Sequence, residues 1–152
     1  MLQLSRDLNF GELRISIRVG LNCKFIPTHC ITAKLRTSKC KALPMFHAFL
    51  GCDITASFAN FGRALGWKLW HIYRETSLSM TSATEYDKLI DKNVVVEPER
   101  FLNLLYDRTI CNADINEACK SLFCQGKSVD RIPPTREATF QHIRHAIFQA
   151  KI

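Results

Sequence analysis

A chain of 152 residues with 47% hydrophobic and 23% charged residues has the composition of a folded domain, which excludes a disordered polypeptide. Its longest apolar stretches, such as residues 42–50, are too short to span a bilayer and are interrupted by Pro44 and His47, so no membrane partner is expected. The net charge of +7, from 21 Lys and Arg against 14 Asp and Glu, favours an acidic partner, and nucleic acid is the commonest.

Reading from the start, MLQLSRDLNFGEL lacks an apolar run followed by a small-residue cleavage site, so no secretory leader is expected. Leu13, Ile15, Ile17 and Val19 alternate with Arg14, Ser16 and Arg18, which predicts a strand with one buried face, ended by Gly20. Residues 23–26 suit a short second strand before Pro27. A lone strand cannot satisfy its backbone and two are marginal, so the sheet is expected to continue upstream or to pair with another chain.

From Thr28 onward the pattern is helical. Thr28 is expected to cap a short helix over 29–35, and Pro44 to open one that runs to Leu50 and stops at Gly51. A broadly apolar helix is expected over 62–73. The Ser/Thr-rich run 76–84 reads as a loop, 85–91 as a helix capped by Thr84, and 94–96 as a short extended stretch. Pro98 is expected to open a helix with Phe101, Leu102, Leu104 and Leu105 inward. Asn112 or Asp114 caps another through Phe123, with Gly126 after it. After the rigid Ile132-Pro133-Pro134 break, Thr135 caps a last helix with Phe140, Ile143 and Ile147 on one face.

The seven cysteines (23, 30, 40, 52, 111, 119 and 124) are odd in number and show no Cys-x-x-Cys pair, so reduced thiols in the nucleus or cytoplasm are expected rather than a disulfide framework or a zinc site. His47, next to Phe46 and Phe49, reads as a buried core histidine. Trp67 and Trp70, three apart, read as core or interface anchors.

Residues 42–70, ALPMFHAFLGCDITASFANFGRALGWKLW, carry the most specific pattern. They resemble the block LPxFHAxTGCDTTSxFxGxGKKxAW of a family of transposon-associated animal proteins. Residues 24–29, 101–109, 116–118 and 132–135 resemble further segments of that family, so the likeness extends over about residues 12–150. In that family the Gly-Cys-Asp block is similar to the helix-hairpin-helix region of flap-type 5′ nucleases, which have PIN-like α/β cores. The resemblance implies a mainly α fold with a small β element. It divides the chain into a partial PIN-like core with a helix-hairpin-helix at 1–75 and a C-terminal helical region at 76–152.

The same resemblance implies a metal-ligand position at Asp53 and DNA-backbone contacts at Asn60, Gly62 and Arg63. Nucleases of this kind gather several carboxylates around Mg²⁺ or Mn²⁺ to activate water and stabilise phosphate charge. The family's upstream Asp-Thr-Asp element has no counterpart here, and Asn60 and Ala64 replace a glycine and a basic residue of its hairpin. The expectation is therefore a catalytically incomplete remnant. No cofactor is expected unless the carboxylate set is completed, and weak, sequence-independent DNA binding is retained around Gly62. The competing assignments are a turn carboxylate at Asp53, a tight interhelical turn at residues 60–63, and a helical module that docks on another protein chain.

Overall fold

The computed structural model describes residues 12–35, 37–58, 61–85, 92–109 and 114–151. The fold is mainly helical with one small antiparallel sheet, as the sequence pattern predicts. The chain divides into two compact units at Leu43–Pro44.

In the first unit, strand β1 (Arg14–Val19) pairs with strand β2 (Asn22–Pro27) through the two-residue connection Gly20-Leu21. Gly20 takes a positive φ of 61°, which only glycine adopts without strain. Ile15 lies opposite Ile26, and both are half-buried. Helix α1 (Thr28–Lys34) follows directly. Thr28 does not cap it in the expected way. Its backbone N–H and hydroxyl both donate to the Leu13 carbonyl, each at 2.8 Å, which fastens the helix start to the residue before β1.

Helix α2 (Thr37–Phe49) starts earlier than expected and carries Pro44 in its interior. An internal proline forfeits a helix bond at a cost of about 3 kcal/mol. Burial of Met45, Phe46, Ala48 and Phe49 directly after it offsets that cost. His47 corrects the sequence reading: it is exposed, because Phe46 and Phe49 sit three apart on the buried face and the residue between them points away.

The second unit continues with α3 (Arg63–Ile72), α4 (Glu75–Glu85), α5 (Lys92–Tyr106), α6 (Ile115–Cys124), a single 3-10 turn (Val129–Arg131) and α7 (Arg136–Lys151). Its core is aromatic. The Phe46 and Trp70 rings stack at 4.0 Å and 10°, and Phe101 meets Phe46 edge-on at 6.1 Å. Trp70 is fully buried, while Trp67 keeps about a third of its surface exposed.

Helix α4 corrects the expected Ser/Thr loop. Thr76, Met80 and Ala83 recur at helical spacing and are buried. The hydroxyls of Thr81, Ser82 and Thr84 bond back to carbonyls three or four residues earlier, so they solvate the helix instead of competing with it. The stretch 94–96 belongs to α5 and is helical rather than extended, and Pro98 lies inside that helix. The helix expected over 85–91 lies outside the described residues except for Glu85, which ends α4.

A charged network ties the last three helices together. Glu99 on α5 is buried, and its Oε1 accepts from Ile115 N at 3.1 Å at the start of α6. The same oxygen lies 3.3 Å from Arg136 Nε at the start of α7. Asp114 caps α6 through Asn116 N at 2.8 Å and also faces Arg136 Nη1 at 3.4 Å. Thr135 accepts from Ala138 N at 3.4 Å, the expected cap of α7. Ile143 and Ile147 are buried as expected, and Phe140 is half-covered beneath Arg144.

Glu99→Gln should lower stability by about 2 kcal/mol, since a buried bond to a charged acceptor weakens while the half-exposed Arg136 returns to water. Urea unfolding with an unchanged m-value checks this.

Candidate functional site

A helix that ends leaves carbonyl oxygens without helical donors. At the end of α2 two side chains supply them, and a third holds the carbonyl of the turn just beyond. Thr55 Oγ1 donates to Ala48 O at 2.7 Å, His142 Nε2 donates to Phe49 O at 2.7 Å, and Arg63 Nη2 donates to Gly51 O at 3.1 Å. A cation at a helix C-terminus is also favoured by the helix dipole.

Gly51 makes the turn possible. Its φ is +97°, and an added Cβ would stand 2.6 Å from Ser57 Cα. The chain then closes a two-residue hairpin in which Cys52 N and Thr55 N bond each other's carbonyls at 3.2 and 3.3 Å. Thr55 has one hydroxyl proton, and the Ala48 carbonyl takes it. Its oxygen then accepts from Cys52 N at 2.9 Å, and the Cys52 thiol donates to it at 3.1 Å.

Asp53 and Ile54 are the two central residues of this hairpin, and both are exposed. Asp53 thus stands at the tip of a turn built for the helix end. Among the described residues, no three His, Cys, Asp or Glu side chains gather as a metal cluster.

Gly62 and Arg63 open α3. Gly62 has an ordinary extended φ of −72°, no side-chain cap is present, and no acidic residue lies in the first turn. An added Cβ at Gly62 would meet nothing within 4 Å, whereas one at Gly66 would lie 2.6 Å from Leu50 Cδ1. Gly66 is therefore a helix-packing glycine, and Gly62 is not. The Arg63 side chain is directed to the Gly51 carbonyl. Asn60 lies outside the described residues.

A second feature lies on the other side of His142. A groove of about 620 Å³ is lined by Phe58, Tyr106, Phe123, Val129, Pro133 and His142, among others, and none of its described lining residues is charged. Phe123 is 70% and Val129 85% exposed. Cys119 Sγ donates to Pro133 O at 3.1 Å, fastening α6 to the Ile132-Pro133-Pro134 wall, and burial pushes its thiol pKa up. Burial likewise raises the Tyr106 phenol.

His142 joins this groove to the end of α2. It meets Phe58 at 4.7 Å and Phe49 at 5.5 Å, ring to ring. Because a carbonyl can only accept, the ring proton sits on Nε2 and leaves Nδ1 as an acceptor. The only early sign of the groove was the rigid Ile132-Pro133-Pro134 break. Nothing in the sequence places residue 142 beside residue 49.

No protein-family model matches the chain, and no curated protein or solved structure matches it either.

Burial lowers the His142 pKa, the bond to Phe49 opposes that, and the neighbouring His145 adds to the lowering. The folded value thus lies below the unfolded one, about 6.5. On acidification the unfolded chain takes up this proton first, so stability falls as pH drops below about 6.5, with no such loss above it. His142→Asn, which keeps a donor for Phe49, should flatten the fall of the urea midpoint as pH drops below about 6.5.

Proposed function

We propose that this chain is a non-catalytic binding module, a remnant of the nuclease-like family its blocks resemble, which docks an apolar segment of a partner protein in the groove beside His142. The observation that carries this reading is the exposure of Phe123 and Val129 at the edge of an uncharged concave surface. Large apolar side chains around a concave surface mark contact sites, and a few polar groups such as Tyr106 and His142 serve orientation. Asp53 enters this reading as a turn carboxylate. Metal-dependent cleavage with Mg²⁺ or Mn²⁺ would need further acidic groups around it. Cys23, Cys30, Cys52, Cys119 and Cys124, which form no disulfide, fit a reducing compartment, the nucleus or cytoplasm.

A second reading is favoured by the start of α3. A glycine with open space, no side-chain cap, no acidic residue in the first turn and a chain charge of +7 suit a DNA phosphate on the exposed backbone N–H groups. Arg63 contributes less than the resemblance implies, because it already serves Gly51.

A displayed library of random short peptides should yield apolar sequences whose affinity falls at least about tenfold in both Phe123→Glu and Val129→Asp. Both changes lie on exposed side chains, so the fold should be kept. No enrichment, or binders indifferent to both variants, rejects the groove reading. Duplex DNA affinity that declines steeply with salt and weakens in Gly62→Asp supports the second reading, since Asp at a helix N-cap stabilises the helix while repelling phosphate. Affinity that is flat with salt rejects it.

A further inference from the structure

The β1–β2 hairpin of the first unit presents a surface whose chemistry depends neither on the groove nor on the start of α3. Antiparallel register puts Arg14 opposite Pro27, Ser16 opposite Phe25 and Arg18 opposite Cys23. Directly opposed side chains share a face, so these six residues form one side of the ribbon. On it Arg14, Ser16, Arg18, Cys23 and Phe25 are all exposed, Phe25 by 63%.

Phe25 is the diagonal neighbour of both arginines. The Arg14 and Arg18 backbone positions lie four steps apart along β1, about 13 Å, and Phe25 sits opposite the midpoint between them. Glu12, itself exposed, bonds Arg14 Nε at 2.9 Å and is the only acidic side chain that the hairpin's hydrogen bonds and ion pairs bring to this face among the described residues. Lys24 adds a further exposed cation on the opposite side of the ribbon.

An exposed aromatic ring on a flat two-stranded platform is poorly suited to water. Flanked by planar, always-charged forks that match phosphate oxygens, it has the chemistry of a stacking platform within a basic track. A duplex hides its base faces, whereas a single strand offers them. We propose that this face binds single-stranded nucleic acid. Phe25 stacks on one base while Arg18, and Arg14 on exchanging Glu12 for phosphate, hold the backbone on either side.

The test uses the full chain with labelled oligo-dT and oligo-U, followed by fluorescence anisotropy across a salt series. Phe25→Ala should weaken binding at least about fivefold, and Phe25→Trp should retain it. The pair Arg14→Gln with Arg18→Gln should flatten the slope of log K against log salt by about 1.4, or about 0.7 for each lost phosphate contact. Circular dichroism should show no loss of fold, because all three side chains are exposed. The dT and U arms report which sugar is preferred, and loss of binding in either supports the proposal. Hairpin variants that bind like the wild type overturn it, as does tighter binding of a duplex of equal length. If Gly62→Asp alone lowers single-strand affinity, the hairpin proposal fails while the α3 reading stands. If only the hairpin variants do, the reverse holds.

Discussion

The end of α2 sets the terms for the larger unit. A helix that stops inside a protein leaves carbonyl oxygens whose burial without donors would cost about 1–3 kcal/mol each. Here the donors come from places far apart in the chain, Thr55 just past the turn and His142 on the last helix, 93 residues from Phe49, while Arg63 at the next helix holds the Gly51 carbonyl beyond the helix end. Meeting this demand fixes the Cys52–Thr55 hairpin, the entry of α3 and one contact of α7. It also gives each residue of the Gly-Cys-Asp block a place in the turn. Gly51 turns the chain, Thr55 is the anchor, Cys52 donates to that anchor, and Asp53 is left at the tip.

Two other demands are met around that point. Apolar surface is hidden by the stacked and edge-on rings of Phe46, Trp70 and Phe101. The helix starts are met by charge: Glu99 and Asp114 serve backbone N–H groups at the head of α6 and are held there by Arg136 from the head of α7. Acidic groups at helix N-termini and donor side chains at a helix C-terminus both work with the helix dipole. The carboxylates with the clearest structural partners are therefore occupied in holding helices together.

The surfaces left over differ in kind. The groove beside His142 is uncharged, and its rim exposes Phe123 and Val129. Its histidine is held in one neutral tautomer by a backbone carbonyl. The hairpin face is basic with a single aromatic ring, and its side chains lie on a regular ladder. An uncharged groove and a basic ribbon face make opposite demands on any ligand, and they lie on different units of this chain.

Local rules made much of this legible in advance. Alternation over Leu13 to Val19 gave the first strand, Asp114 and Thr135 announced the helices they cap, and spacing named the buried face of Phe101, Leu102 and Leu105, although Leu104, also expected inward, is only half-buried. Each is decided within a few residues, by side-chain period or by a cap. Other features were settled by packing. The Thr76–Thr84 run became helical because Met80 and Ala83 are buried and its hydroxyls bond to their own helix. Pro44 and Pro98 were absorbed into helix interiors, and His47 turned outward while His142 was enclosed. Composition and period determined the mainly helical class, the β1 strand and the caps at Asp114 and Thr135. Only tertiary structure decided that Arg63 and His142 serve the end of α2 and that Phe123 borders a groove, because those partners are chosen by proximity in space between residues that no local period relates.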